Sequence, residues 1–171
     1  NLKINYDIKS CLIRMYDFLK IICIGNLPIP AFGDTPRIYT YKLSTIVSKL
    51  EKLKSIDSRD ILSSNILEKS AAFSYLISEK SGTSAIRQKL STDGYNDSLI
   101  IFSFPKDRGS HGHIDPLHVI VIWKGVQLFI DSGGPFLYGN KRRFEYFIQS
   151  IAHNTISVDG LNSELSACLV N

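Results

Sequence analysis

The chain has 171 residues, of which 44% are hydrophobic, with 20 Lys and Arg against 16 Asp and Glu. This length suits one medium domain, or a small domain with part of another. Because no stretch approaches the roughly 20 apolar residues of a membrane helix, we predict no membrane span. The formal charge of +4 suits an acidic ligand, but many proteins without a polyanion partner have a similar charge, and we predict no nucleic-acid partner.

The first 70 residues have the periodicity of helices. Apolar residues recur at helical spacing from Ile4 to Ile22 and from Leu43 to Leu53, and a shorter helix is predicted over Asp60 to Lys69. The stretch GNLPIPAFGDTPR, residues 25–37, separates the first two because its glycines and prolines interrupt regular structure. We therefore expect residues 1–70 to form a helical segment.

From about residue 72 the pattern changes to alternation and β-branched runs, which is typical of strands. TSAIRQKL and SLIIFSF predict two strands joined by a turn at Asp93-Gly94. LHVIVIW and VQLFID, joined by Lys124-Gly125, predict a hairpin, and HNTISVDG predicts a further strand. The chain is thus predicted to be α+β, with its helical segment followed over residues 71–171 by an antiparallel β-sandwich.

The two-residue turn predicts the register of the hairpin. It places Trp123 opposite Val126 and His118 opposite Asp131. One face of the hairpin then carries apolar residues alone and is predicted to be the core: Val119, Val121, Trp123, Val126, Leu128 and Ile130. The opposite face, with His118 and Asp131, is predicted to form the floor of a cleft.

All four histidines lie between residues 111 and 153, a clustering that is not expected of independent structural residues. In the extended stretch HGHID, His111, His113 and Asp115 would point the same way. Asp131 ends its predicted strand, and His153 belongs to a third segment.

Two imidazoles and one carboxylate from three segments predict a divalent-metal site, with zinc as the first choice. The predicted ligands are His113, Asp131 and His153, which leave a coordination position for water or substrate. His118 stays open as a ligand because the predicted register places it beside Asp131.

These motifs resemble the C-terminal domain of the heparinase II/III-like polysaccharide lyases. The family pattern is a G-H-G-H-x-D-x-L segment, a hairpin, an aspartate before a glycine turn, a tyrosine, a basic-aromatic stretch and H-N-T before V-D-G. The corresponding stretches here are SHGHIDPL, LFIDSGG, Tyr138, KRRFEYF and HNTISVDG. Upstream, SEKSGTSAIR resembles the strand that opens the domain, and GNLPIPAFGDTPR resembles the segment that closes the preceding helical toroid.

The resemblance implies a fold in which residues 1–70 are the end of an (α/α) toroid and residues 71–171 are a β-sandwich domain that is truncated at its C-terminus. It implies the same three metal ligands and places His111 towards the substrate cleft. It also implies a periplasmic or secreted protein. We expect the chain to be a piece of a longer protein that contains the missing toroid domain.

The implied activity is β-elimination on a uronic-acid glycan such as heparin, heparan sulfate or alginate. A base removes the proton beside the carboxylate, whose charge must be neutralised, and the 4-linked sugar leaves. His111 and Tyr138 are the candidate catalytic residues, and Arg142 and Arg143 are candidates for binding carboxylate or sulfate. Because the family's principal catalytic residues lie on the toroid, we expect little or no lyase activity from this chain alone.

Two other interpretations stay open. HGHIDPLHVIVIWKG approaches a cupin metal motif, with Gly125 at the expected spacing and His118 in place of the usual carboxylate, which would indicate a dioxygenase or isomerase. The other interpretation is a non-catalytic domain, in which a metal stabilises a sheet that binds carbohydrate.

Overall fold

The computed structural model describes residues 6–35, 72–78, 81–104, 111–135 and 139–163. The described elements are α1 (Tyr6–Ile22), β1 (Phe73–Ser78), β2 (Thr83–Gln88), β3 (Ser98–Ser103), β4 (His118–Trp123) and β5 (Val126–Phe129), followed by a π-helical turn (Arg143–Phe147) and a 3-10 turn (Ser150–Ala152). The helices predicted between residues 43 and 69 lie outside the described ranges.

The five strands form one antiparallel sheet in sequential order, β1-β2-β3-β4-β5. The predicted fold class is confirmed, because a helical N-terminal segment precedes an antiparallel sheet of the kind that forms one layer of a β-sandwich. The strand predicted in HNTISVDG is wrong. Val158 makes an isolated bridge with Leu161, and Asn154 contacts the sheet through both its backbone carbonyl and its side-chain amide.

The β4–β5 hairpin turns as predicted. Lys124 and Gly125 both have positive φ, 46° and 74°, the backbone conformation of a type I′ turn. Trp123 lies opposite Val126, which confirms the register next to the turn.

Beyond the turn the hairpin contains a β-bulge. Val121 pairs with Phe129, so Leu128 is an extra residue in β5. The ladder ends at this pair and Asp131 lies beyond it, so the predicted pairing of His118 with Asp131 across the ladder is wrong. The two side chains are nevertheless close, with Nε2 of His118 3.3 Å from Oδ2 of Asp131.

The buried face of the sheet is the opposite of the one predicted. Ile120 and Ile122 of β4 are buried, whereas Trp123 is 51% and Leu128 is 56% exposed. The core is formed by apolar residues of the helix end and four strands: Ile21, Ile22, Ile24, Leu76, Ala85, Leu99, Ile101, Ile120 and Ile122. Alternation shows which residues share a face, but the element that packs on a face decides whether it is buried.

Helix α1 is confirmed, but it contributes chiefly its last turn to this core. Ile21 and Ile22 are buried, whereas Ile8 and Met15 of the predicted apolar stripe are more than half exposed. The end of α1 and the sheet share one core. The two-domain division near residue 70 stays a prediction. In the described part of the chain, no helix is both long and apolar enough to cross a bilayer.

Candidate metal centre

The H-N-T motif is fastened to both strands of the hairpin at the point where their ladder ends. The backbone carbonyl of Asn154 accepts a hydrogen bond from the Val119 N–H at 3.0 Å. Its side-chain amide donates to the carbonyls of Val119 at 3.1 Å and Ile130 at 2.9 Å. The Thr155 hydroxyl donates to the Pro116 carbonyl. These bonds fix the neighbouring His153 beside the ends of both strands.

His153 and Asp131 form the centre of the site. The Nδ1 atom of His153 lies 2.5 Å from Oδ2 of Asp131, and its Nε2 atom lies 2.9 Å from the carbonyl oxygen of Phe147. A carbonyl oxygen only accepts, so Nε2 carries a proton. Nδ1 then either carries a second proton or offers its lone pair to a cation beside the carboxylate. The pair is therefore a buried cation site, for a proton or a metal ion.

His118 adjoins the same carboxylate. Its Nε2 atom lies 3.3 Å from Oδ2 of Asp131, and its ring lies 5.6 Å from the ring of His153. Neither ring nitrogen of His118 has a hydrogen-bond partner among the described residues. One potential ligand atom from each of His118, His153 and Asp115 lies within 4.8 Å of the others. His118 and Asp115 therefore belong to the same cluster of donor groups.

Burial and charge act on these groups in opposite directions. Burial lowers the pKa of His118 and outweighs the raising effect of the charges of Asp131 and Asp115. Burial also opposes protonation of His153, but the hydrogen bond and charge of Asp131 outweigh it, and the pKa of His153 is raised. For Asp131, burial favours the neutral acid, yet the hydrogen bond and charge of His153 hold its pKa below the usual range. The site thus holds a buried anion that requires a cationic partner.

His113 reaches the centre from the HGH segment, with its ring 4.9 Å from the ring of His153. Its Nε2 atom lies 3.1 Å from Oδ1 of Asp34, while its Nδ1 atom is buried without a hydrogen-bond partner among the described residues. A neutral imidazole has one donor and one acceptor, so donation from Nε2 to Asp34 leaves a lone pair on Nδ1. A carboxylate behind an imidazole in this way is the usual support of a metal-binding histidine.

Asp34 is a site residue that the sequence analysis did not identify. Besides His113, it accepts hydrogen bonds from Nε of Arg143 at 3.0 Å and from Nη2 at 2.7 Å, and it lies 3.5 Å from Nδ1 of His111. The preceding Gly33 has φ +53°, and a Cβ atom there would lie 2.4 Å from the His111 carbonyl oxygen. This close approach requires glycine and explains why a Gly-Asp step occurs in GNLPIPAFGDTPR.

The other predicted site residues have different surroundings. His111 is at the edge of the centre, with its side chain 70% exposed. Arg142 is exposed, whereas Arg143 is 6% exposed and paired with Asp34. Tyr138 lies outside the described residues. The roles of these four residues stay predictions.

The comparisons with known proteins agree with the motifs. The model of the family described as heparinase II/III-like, C-terminal, matches residues 78–167, which contain all four histidines and Asp131. The chain belongs to this family. No match was found among curated proteins.

The solved structures with a similar fold include heparinases. One heparinase III aligns with 94% of this chain at 17% identity with a TM-score of 0.68, and a further heparinase III gene product aligns with 88% at 19% identity with a TM-score of 0.62. The heparan sulfate lyase HepC from Pedobacter heparinus aligns with 86% at 18% identity with a TM-score of 0.56. The alignments cover 28%, 24% and 24% of those chains, so this chain spans about a quarter of their length.

Proposed function

We propose that this chain is the metal-containing β-sandwich part of a polysaccharide lyase that cleaves uronic-acid glycans by β-elimination. The family supports the reaction class, and the likeness to heparinases supports a heparin or heparan sulfate type of substrate, with alginate as a further candidate. The observation that carries the proposal is the convergence of His113, Asp131 and His153 from three segments into one buried centre.

The donor set suits a divalent ion of the zinc type. Two imidazole nitrogens and one carboxylate oxygen are ligands that zinc commonly takes in proteins. Each has an outer partner that orients it: Asp34 behind His113, the Phe147 carbonyl behind His153, and the Gly133 N–H on the second oxygen of Asp131 at 2.6 Å. When bound, the ion would supply a fixed positive charge and would tie the three segments together.

The residues of the chain would act on the glycan from the exposed edge of this centre. His111 would contact the sugar, where it donates a hydrogen bond to the carboxylate or transfers a proton. Exposed Arg142 would bind a carboxylate or sulfate, and Tyr138 would protonate the leaving oxygen. Arg143 is held by Asp34 and would act chiefly by fixing the position of that carboxylate.

The remainder of the catalytic apparatus would come from other parts of a longer lyase. The alignments cover only about a quarter of the length of the solved relatives, which supports this division of labour. In such a longer lyase, residues 1–70 would belong to the end of a helical toroid, and residues 71–171 would belong to the β-sandwich.

Metal analysis of the purified chain tests the centre. The wild-type chain is expected to retain about one zinc ion per molecule after dialysis, because the three protein donors are buried. His113→Ala and His153→Ala should lose the ion, whereas His111→Ala, which removes the exposed histidine, should retain it. Full metal content in both ligand variants would overturn the ligand assignment.

A lyase assay tests the division of labour. With heparin, heparan sulfate or alginate, β-elimination creates a conjugated double bond that absorbs in the ultraviolet. The 171-residue chain is expected to give negligible turnover, and a longer parent protein is expected to give turnover that His111→Ala reduces. Clear turnover by the chain alone would overturn the proposal that it depends on other parts of the lyase.

A non-catalytic metal domain is the second candidate, and the nearly complete burial of the cluster favours it. Under that candidate, chelation lowers the melting temperature of a parent lyase but leaves its turnover at low temperature unchanged. The cupin alternative has one supporting observation, the position of His118 beside Asp131, and the family assignment favours the lyase over it.

A further inference from the structure

The side chain of His118 is 1% exposed, and both of its ring nitrogens lack a hydrogen-bond partner among the described residues. An imidazole always has at least one N–H group and, when neutral, one lone pair. Burying such a polar group without a partner is energetically unfavourable. Native structures seldom retain this cost without a ligand, a bound water or a functional reason.

The ring of His118 has an apolar neighbour on one side and the metal centre on the other. Phe32 makes an edge contact with it at a centroid distance of 6.4 Å, which satisfies neither nitrogen. Its Nε2 atom lies 3.3 Å from Oδ2 of Asp131. That oxygen also contacts Nδ1 of His153, one of the three ligands proposed above.

The distance between Nε2 of His118 and Oδ2 of Asp131 is compatible with a shared ion. Nitrogen and oxygen ligands of tetrahedral zinc lie about 2.0–2.1 Å from the ion, which places two ligands about 3.3–3.4 Å apart. Nε2 of His118 and Oδ2 of Asp131 match this spacing at 3.3 Å. One potential ligand atom of His118 also lies within 4.8 Å of such atoms of His153 and Asp115.

We propose that His118 is a fourth protein ligand, through Nε2, and that the centre is a closed site of three histidines and Asp131. This inference rests on the proposed metal centre and changes its character. Four protein ligands leave no position for water, which is the property of a structural ion rather than a catalytic one. The ion would then tie the first residue of β4 to the residues that follow β5.

A closed site also separates the task of the ion from that of His111. The ion holds the segments in place, while the exposed imidazole, two residues before His113, meets the glycan. The ion would generate no metal-bound hydroxide, so the proton transfers of the elimination would fall to side chains alone.

Cobalt substitution in the 171-residue chain tests the coordination number. Cobalt(II) with four ligands absorbs visible light much more strongly than cobalt with five or six ligands, so the wild-type chain should give an intense visible spectrum. His118→Ala should bind cobalt about tenfold or more weakly, with a spectrum changed by a water in the vacated position. His111→Ala is the matched control and should keep the wild-type spectrum and affinity.

The outcomes separate this inference from the proposed function. If the wild-type chain binds no cobalt or zinc, both are overturned. If it binds metal but His118→Ala has the wild-type affinity and spectrum, only the fourth ligand is overturned, and the three-ligand centre stands. If His118→Ala fails to fold, the spectrum of the wild-type chain tests the closed site. Weak absorption, which is typical of cobalt with five or six ligands, would contradict it. A further outcome would assign the fourth position to Asp115. In that outcome Asp115→Asn loses the intense spectrum while His118→Ala keeps it, and the assignment of His118 as a ligand is overturned.

Discussion

Two buried polar clusters lie at opposite ends of β4, and they differ in how completely they are hydrogen-bonded. Near the hairpin turn, Arg87 donates from Nε to Asp97 at 2.8 Å and from Nη1 to the carbonyls of Lys20 at 2.5 Å and Cys23 at 2.7 Å. The other oxygen of Asp97 accepts the N–H groups of Leu90 and Ser91.

The histidine cluster at the start of β4 is equally buried but incomplete. Among the described residues, three of its ring nitrogens have no hydrogen-bond partner, one on His113 and two on His118. Because both clusters contain charged or titratable groups in a shielded setting, burial alone does not distinguish them. Hydrogen-bond completeness does: the first cluster can hold the fold together unaided, and the second has donor atoms left for a ligand.

The largest expected effect comes from breaking the complete cluster. Asp97→Ala leaves the Arg87 guanidinium buried without its partner, and we expect unfolding free energy to fall by about 3–5 kcal/mol, as for other broken buried pairs. Urea unfolding measures this loss. The exposed pair of Lys141 and Glu145 is the control, and Glu145→Ala should cost about 0.5 kcal/mol or less. Equal losses in the two variants would refute a structural role for the Arg87 cluster.

Adding zinc should stabilise the incomplete cluster. A ligand that binds only the folded chain adds about 2.7 kcal/mol when its concentration is 100 times its dissociation constant. We expect zinc to raise the melting temperature of the wild-type chain and of His111→Ala. The melting temperature of His153→Ala should not change when zinc is added. Equal stabilisation of His153→Ala would mean that zinc binds elsewhere.

A smaller effect is expected from the carboxylate behind His113. Asp34→Asn keeps the size of the side chain but removes the charge that orients the imidazole, and zinc affinity should fall about tenfold. Competition with a coloured chelator measures the affinity, with exposed Asp93→Asn as the matched control. Unchanged affinity in Asp34→Asn would show that Asp34 serves Arg143 alone.

The smallest expected effect is the pH dependence contributed by Asp97. Burial raises the pKa of this carboxyl, but hydrogen bonds from the Leu90 and Ser91 N–H groups and from Arg87, with the charge of Arg87, outweigh it and lower the pKa below 3.8. The stabilisation is therefore present above the ordinary pKa and is lost as pH falls through the lowered value.

Unfolding in urea from neutral pH to about pH 3 tests this dependence. The stability difference between the wild-type chain and Asp97→Asn should be constant near neutrality and should shrink only in the most acidic samples. A difference that disappears already near neutral pH would contradict the assignment to Asp97.

Local sequence patterns predicted the strands and the hairpin turn but not the packing around them. Alternation and the Lys124-Gly125 step are local signals, and β2 to β5 form where these signals lie. The choice of the buried face depends on which element covers the sheet, and the bulge at Leu128 has no signal in the local alternation. Both faces of β4 are largely apolar, so its own sequence does not reveal that choice.

The candidate site could be predicted in part for the same reason. His113, Asp131 and His153 occur in dense motifs, and the structure brings them together. Asp34 is separated from His113 by 79 positions, and no local pattern connects them. His118 was placed beside Asp131 by a wrong register, yet the structure places Nε2 of His118 3.3 Å from Oδ2 of Asp131.

The most direct test is the anomalous diffraction of zinc in a crystal of the zinc-loaded chain. One strong peak is expected about 2.0–2.2 Å from Nδ1 of His113, a carboxylate oxygen of Asp131 and Nδ1 of His153. A zinc peak elsewhere in the chain would contradict the proposed metal centre. Direct hydrogen bonds among these three side chains, with no peak between them, would contradict it as well.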